Sequence, residues 1–416
     1  MMRRLALSLS FVVCMLLCTA CSTSNRRIDI QRRQVWTAWC KALAADTLPM
    51  PSLRPLAERD SFVWHIPDSL EESADMAFRY GTKGDEPADG YPLILYLHGS
   101  GPRDAEWEAG WRFGSRFVDS SSLYYIPRIP REDHYRWYPR SKQWAWEQLI
   151  RKALASGHVD PARLYLIGIS EGGYGGQRLA SFYADYLAGA GPMAGGEPLR
   201  NAPPENLGNI AFSLLTGEND RMFFRNMLTE TTGQALDSLH SLHPDRYVHR
   251  VELEPGRGHG IDYYRTTPWL MPFTRNARPN AFTWENYEMD GRKRNNFYNI
   301  EVLAEDTTAT RVCYEYIKDG NHIALRVDAV NYETTFTDPW WGIEMQFKRH
   351  LQPVSTGHIR IYLDADDTML RKPVTVFVNG TMLSLQPTVS KEVMRHTCAL
   401  WGDPLRLYPA FIDVSW

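Results

Sequence analysis

Five residues, Gly168-Ile169-Ser170-Glu171-Gly172, constrain this chain more than any other feature. They read G-x-S-x-G, directly follow the apolar run Leu164-Tyr165-Leu166-Ile167 and precede a stretch with helical spacing. A strand that ends in such a turn and runs straight into a helix forces the serine up out of the sheet, where its hydroxyl can attack a bound carbonyl. The flanking glycines are needed because a side chain at either place would collide with the neighbouring strand or helix. The pattern alone is common by chance. The strand before it, the helix after it and matching partners downstream make Ser170 a candidate nucleophile.

Around this turn the pattern alternates. Apolar runs predict strands at 62–66, 77–80, 93–97, 123–129, 164–167, 187–191, 210–215 and 248–253. Helical spacing predicts helices near 105–117, 142–155, 173–184 and 221–240. Continuous apolar strands between amphipathic helices imply an α/β architecture, a mostly parallel eight-stranded sheet covered on both faces. After residue 280 the texture changes to short strands, at 300–303, 312–317, 323–327, 359–363 and 374–378, with no helix signal. Asn379-Gly380 follows the last, a pair suited to a hairpin turn with positive φ at both central residues. The expected division is therefore a tether and helix over 22–59, a catalytic α/β domain over 60–280 and a β-sandwich over 281–416.

A serine nucleophile needs a base, an orienting acid and donors for the developing oxyanion. His259 is the expected base; it lies in Gly256-Arg257-Gly258-His259-Gly260, a glycine loop just past the last predicted strand of the sheet. Asp220 is the expected acid, past the strand at 210–215, with Glu218 and Asp262 as rivals. As an Asp ahead of a helix it could also act as the N-cap. The backbone N–H of Glu171 and one from Gly99, Ser100 or Gly101 are the expected oxyanion donors, with His98 ordering that loop. The order Ser, acid, His is that of the α/β-hydrolases. An aromatic and arginine-rich segment over 123–146 offers Tyr135 and Trp137 as candidate substrate contacts, although core packing accounts for most of its rings. Trp340 and Trp341 invite a glycan-binding reading; interior packing is the expectation.

The segment from Val159 to Gly173 resembles the nucleophile elbow of secreted α/β-hydrolases, of the polyhydroxybutyrate-depolymerase and feruloyl-esterase type, with prolyl-oligopeptidase-like enzymes as more distant relatives. The resemblance covers about residues 60–275 and implies ester hydrolysis, with Ser170, Asp220 and His259 as nucleophile, acid and base. Glu171 departs from the many relatives that carry an uncharged residue there. Two other readings remain: a serine peptidase of the prolyl-oligopeptidase kind, for which no N-terminal propeller is present, and a surface glycan-binding protein on a retired hydrolase scaffold.

The first 21 residues read as an export signal: Arg3 and Arg4, then an apolar run from Leu5 to Ala20, then Cys21. The ending resembles a bacterial lipoprotein signal, which would make Cys21 the lipid-attachment residue and anchor the protein to a membrane of the cell envelope. An ordinary signal cut near Ala20 is the alternative. The formal net charge of -3, with no basic run, argues against nucleic acid as partner. Beyond the signal and Cys21 only Cys40, Cys313 and Cys398 remain, too few for a disulfide framework. No spacing points to a metal, and the expected chemistry needs no cofactor. The expected substrate is a small-molecule or polysaccharide-linked ester.

Overall fold

The computed structural model describes residues 26–119, 121–304 and 309–416. The expected signal and Cys21 lie outside them.

Eight strands form one sheet: β1 Phe62–His65, β2 Asp75–Lys83, β3 Tyr91–Leu97, β4 Ser122–Pro127, β5 Val159–Ile169, β6 Gly189–Met193, β7 Ala211–Gly217 and β8 His249–Glu254. Their order is 1-2-4-3-5-6-7-8. β2 runs antiparallel to β1 and β4, and every pairing from β4 through β8 is parallel. This is the α/β-hydrolase fold. The strands read as near-continuous apolar runs because both faces are covered. Along β5, Leu164 and Leu166 enter one core with Leu149, Leu179 and Leu236 of three helices. The intervening Tyr165 and Ile167 face the other core, with Leu270, Trp107 and Trp111.

From Ala281 the chain forms two further sheets. One follows the order Thr381–Leu385, Val374–Val378, His322–Thr337, Val312–Asp319 and Ala281–Asn286, with Glu344–Pro353 paired to His322–Thr337. The other follows Asn296–Phe297, Ile300–Ala304, His358–Leu363, Ala410–Ser415 and Thr388–Val389. They pack face to face: Trp284 of the first stacks on Phe297 of the second at 5.3 Å. Asn379 and Gly380 take φ of 44° and 89°, the positive pair that a two-residue hairpin requires.

Two features depart from the sequence expectation. A helix, Lys391–Trp401, interrupts the strands. The Ser390 hydroxyl caps its first turn by accepting from the Val393 N–H, and Gly402 ends it in the left-handed region. Its buried side, Val393, Met394, Thr397, Cys398 and Trp401, follows helical spacing. The helix at 26–44 packs against it through Ile28 and Val35, so the expected tether is docked. Arg32 secures it, donating to both carboxylate oxygens of Asp364 and to the Leu407 carbonyl. Cys40, Cys313 and Cys398 are free thiols.

A fully buried ionic cluster joins the first sheet's layer to the later strands. Arg406 pairs with Asp185 at 2.5 Å and with Asp403 at 2.7 Å, Arg294 pairs with Asp185, and Arg275 pairs with Asp403 at 2.8 Å. Buried charges are tolerable only while each is paired. Asp185→Ala leaves the buried guanidinium of Arg294 without its carboxylate and Arg406 with Asp403 alone, so its expected cost is about 3–5 kcal/mol. Urea denaturation checks this; a loss below about 1 kcal/mol contradicts it.

Candidate active site

Every candidate residue sits on loops at the carboxyl edge of the sheet. Ser170 follows β5, Asp220 follows β7, His259 follows β8 and the Gly99–Gly101 turn follows β3. Ser170 adopts φ 59° and ψ -113°, off the strand and not yet in the helix Glu171–Phe182. Its N–H is held by the Met193 carbonyl of β6 at 2.9 Å. The turn is packed backbone to backbone: a Cβ on Gly172 would meet the Leu97 carbonyl oxygen of β3 at 2.0 Å. No side chain fits there, which is why the motif requires glycine at this place.

The structure brings Ser170, His259 and Asp220 into one line. His259 Nδ1 lies 2.7 Å from Asp220 Oδ2, and His259 Nε2 lies 3.0 Å from Ser170 Oγ. The carboxylate accepts the Nδ1 proton and leaves Nε2 as an acceptor toward the serine. Asp220 is buried, and its other oxygen accepts from Arg225 Nη1 at 2.8 Å. It does not cap the following helix. The rivals point elsewhere: Glu218 accepts from the Gly256 N–H, and Asp262 caps the turn at Tyr264. The glycine loop that carries His259 is tied at two points. The Asn219 N–H donates to the Arg257 carbonyl at 2.7 Å, and the Tyr263 hydroxyl donates to the His259 carbonyl at 2.9 Å.

The Gly99–Gly101 turn lies against the nucleophile: a Cβ on Gly99 would come within 3.3 Å of Ser170 Cβ. His98 orders this turn from below. Its Nε2 accepts the Ile129 N–H, so the proton sits on Nδ1 and is donated to the Gly99 carbonyl at 2.8 Å. Burial pulls its pKa down to about 4, which keeps the ring neutral. Sequence reasoning missed Glu106, in the first turn of the helix Arg103–Arg116, whose carboxyl faces Gly99 and Gly101. Burial raises its pKa, while the nearby Gly99 N–H pulls the other way. Gly99, Ser100 and Gly101 hold the N–H groups of the expected set. Arg225 was also missed; a lone arginine five residues past an aspartate carries no signal in a sequence.

Of the two candidate substrate contacts, Trp137 is fully buried. Its indole N–H donates to the His98 carbonyl at 2.9 Å, so it supports the Gly99–Gly101 turn from within and offers no face to a ligand. Tyr135 is half-buried, its ring edge-on to His98 at 5.8 Å. Trp340 and Trp341 are not interior residues; they are 84% and 56% exposed.

Glu171 turns its side chain away from Ser170 into the fold, where Oε2 accepts from Arg136 at 2.9 Å. Burial raises its pKa from 4.5 to about 7, and Arg136, itself 55% exposed, pulls it back only in part.

No family model matches the chain. It is 28% identical over 120 residues to poly(3-hydroxyalkanoate) depolymerase C of Paucimonas lemoignei, covering 25% of this chain and 28% of that protein. It is 28% identical over 190 residues to a protein named as the esterase NocK of Nocardia uniformis subsp. tsuyamanensis, covering 43% of this chain and 54% of that one. The chain thus spans about half or less of the curated relatives it matches. Among solved structures, a thermostable esterase matches 52% of this chain and 63% of its own at 21% identity and a TM-score of 0.39.

The raised Glu171 value fixes a sign. Between pH 4.5 and about 7 the folded chain holds a proton that the unfolded chain has released, so stability falls as pH rises through that window. Glu171→Gln keeps an acceptor for Arg136 and removes the buried charge. At pH 8 the variant is expected to be more stable than the parent by on the order of 2 kcal/mol, with the gap closing at pH 5. Urea midpoints at the two pH values test this; a variant less stable at pH 8 contradicts it.

Proposed function

We propose that this protein is an exported serine hydrolase that cleaves a carboxylic ester through an acyl-enzyme. One observation carries the reading: the unbroken hydrogen-bond line from buried Asp220 through His259 to Ser170 Oγ, on a turn that holds the serine clear of the sheet. Ser170 Oγ attacks the ester carbonyl while His259 Nε2 takes its proton. The tetrahedral oxyanion is met by the Glu171 N–H, at the start of a helix, and by an N–H of the Gly99–Gly101 turn. His259 then returns its proton to the departing alcohol oxygen as the carbon–oxygen bond breaks. Water, deprotonated by His259, repeats the attack and releases the carboxylic acid. Asp220 holds the imidazole tautomer and stabilises the imidazolium; Arg225 keeps the carboxylate in place.

Ester rather than amide cleavage is supported by the names of the matched relatives, a depolymerase of a polyester and an esterase. The acyl group is proposed to be one borne on a polysaccharide. The apolar segment ending at Cys21 supports export with a lipid anchor at that residue; no described helix is long and apolar enough to cross a membrane.

The test compares p-nitrophenyl acetate with aminoacyl p-nitroanilides, in parent and Asp220→Asn proteins. The expected result is ester turnover far above anilide turnover, with kcat lowered roughly 10³–10⁴-fold in Asp220→Asn because the imidazole loses its oriented tautomer. Turnover of the anilide at a comparable rate would favour the peptidase reading.

A further inference from the structure

The hairpin between His322–Thr337 and Glu344–Pro353 reaches back to the acid loop of the candidate active site. Its tip is a fixed turn. The buried Asp338 carboxylate accepts the Trp341 N–H at 2.6 Å, the Asp338 N–H donates to the Ile343 carbonyl at 2.8 Å, and Gly342 takes φ 67°. Trp341 packs edge-on against Phe223 at 4.7 Å between ring centres. Phe223 lies three residues past Asp220 with a positive φ of 54°. The Arg225 guanidinium lies within 5.3 Å of the Phe223 ring centre and 5.6 Å of the Tyr174 ring centre, and donates to Asp220. Tyr174 is one helical turn past Ser170. The tip is therefore linked to Asp220 through Phe223 and Arg225.

The surface this makes is aromatic and uncovered. Trp340 is 84% exposed, Trp341 56% and the neighbouring Met222 59%. Trp340 gains little for the fold, because most of its apolar area stays in water, and Trp341 buries only the part of its ring that meets Phe223. Beside them lies a polar rim: Glu344, next to the tip, accepts from Arg200 at 2.8 Å and from the Thr334 hydroxyl at 2.7 Å, and both Glu344 and Arg200 stay partly exposed. Flat indole faces match the C–H faces of pyranose rings, and the partly exposed Arg200–Glu344 pair offers donor and acceptor edges to their hydroxyls.

We infer that Trp340 and Trp341, supplied by the C-terminal strands, form a glycan subsite beside the catalytic cleft that holds the sugar chain carrying the scissile ester. This deepens the ester-hydrolase reading above and rests on it. The two tryptophans are specificity residues. Neither touches Ser170, His259 or Asp220, so the subsite acts on KM for extended substrates and not on the chemical step.

Two measurements test it. The first is kinetics of the Trp340→Ala/Trp341→Ala double variant on p-nitrophenyl acetate and on acetylated oligosaccharides with xylan, mannan and galacturonan backbones. The expected result is p-nitrophenyl acetate turnover within twofold of the parent and a KM raised about tenfold on at least one glycan ester at unchanged kcat. Trp340→Phe/Trp341→Phe should restore most of the loss. The second is gel retardation of Ser170→Ala protein by the same backbones as soluble polysaccharides, abolished when both tryptophans are removed; it reads the subsite without catalysis. Unchanged glycan-ester KM together with no retardation by any backbone overturns the subsite. With soluble 3-hydroxyalkanoate oligomers assayed alongside, a KM effect on these and on no glycan ester overturns the glycan assignment in favour of an apolar polymer. Inactivity on every ester with retardation intact sinks the hydrolase reading and leaves the subsite standing.

Discussion

The backbone of Ser170 is the constraint on which the site depends. At φ 59° and ψ -113° it occupies a region that costs a non-glycine residue about 1–3 kcal/mol. It stays there because the turn is held from three sides: β6 takes its N–H, β3 closes on Gly172, and the helix starting at Glu171 fixes the exit. That one conformation points Oγ at His259 and presents the Glu171 N–H to the same side. A relaxed serine would lose both at once, so the surrounding sheet is in effect a clamp on one residue.

Around that clamp, charge is placed in pairs. Asp220 is satisfied by His259 on one oxygen and Arg225 on the other, and Arg225 is itself lodged between Tyr174 and Phe223. Glu171, immediately past the nucleophile, is turned inward onto Arg136. His98 is neutral and locked in one tautomer. Glu106 faces the Gly99–Gly101 turn, and burial raises its pKa. The Asp185–Arg294–Arg406–Asp403–Arg275 cluster ties the later strands to the turn after the nucleophile helix.

The sheet was legible in the sequence because each strand is buried on both faces and reads as a short apolar run between polar helices. All eight expected strands appear, with ends moved by a few residues where polar positions such as Asp75 and Lys83 continue the pairing. The meeting of Ser170, Asp220 and His259 was legible because each follows a strand, and parallel strands deliver their carboxyl ends to one edge. The helix Lys391–Trp401 was missed although Ser390 and Gly402 mark its ends; its apolar positions are few and lie among short β segments. The exposure of Trp340 and Trp341 was misjudged because a tryptophan pair ordinarily signals a core, and only the fixed hairpin tip keeps them out of one. Trp137 was offered as a ligand contact and proved to be an internal strut, since sequence does not distinguish a ring beneath a loop from one above it. Partners such as Arg225 and Glu106 depend on side-chain approach between separate elements, which leaves no periodic trace.

The central claim is that Ser170 is an activated nucleophile. Labelling the purified mature protein with a fluorophosphonate, followed by peptide mapping of the adduct, tests it most directly. The expected result is a single adduct on Ser170, absent from Ser170→Ala. A well-folded protein that takes up no label, or takes it at another serine, would contradict it.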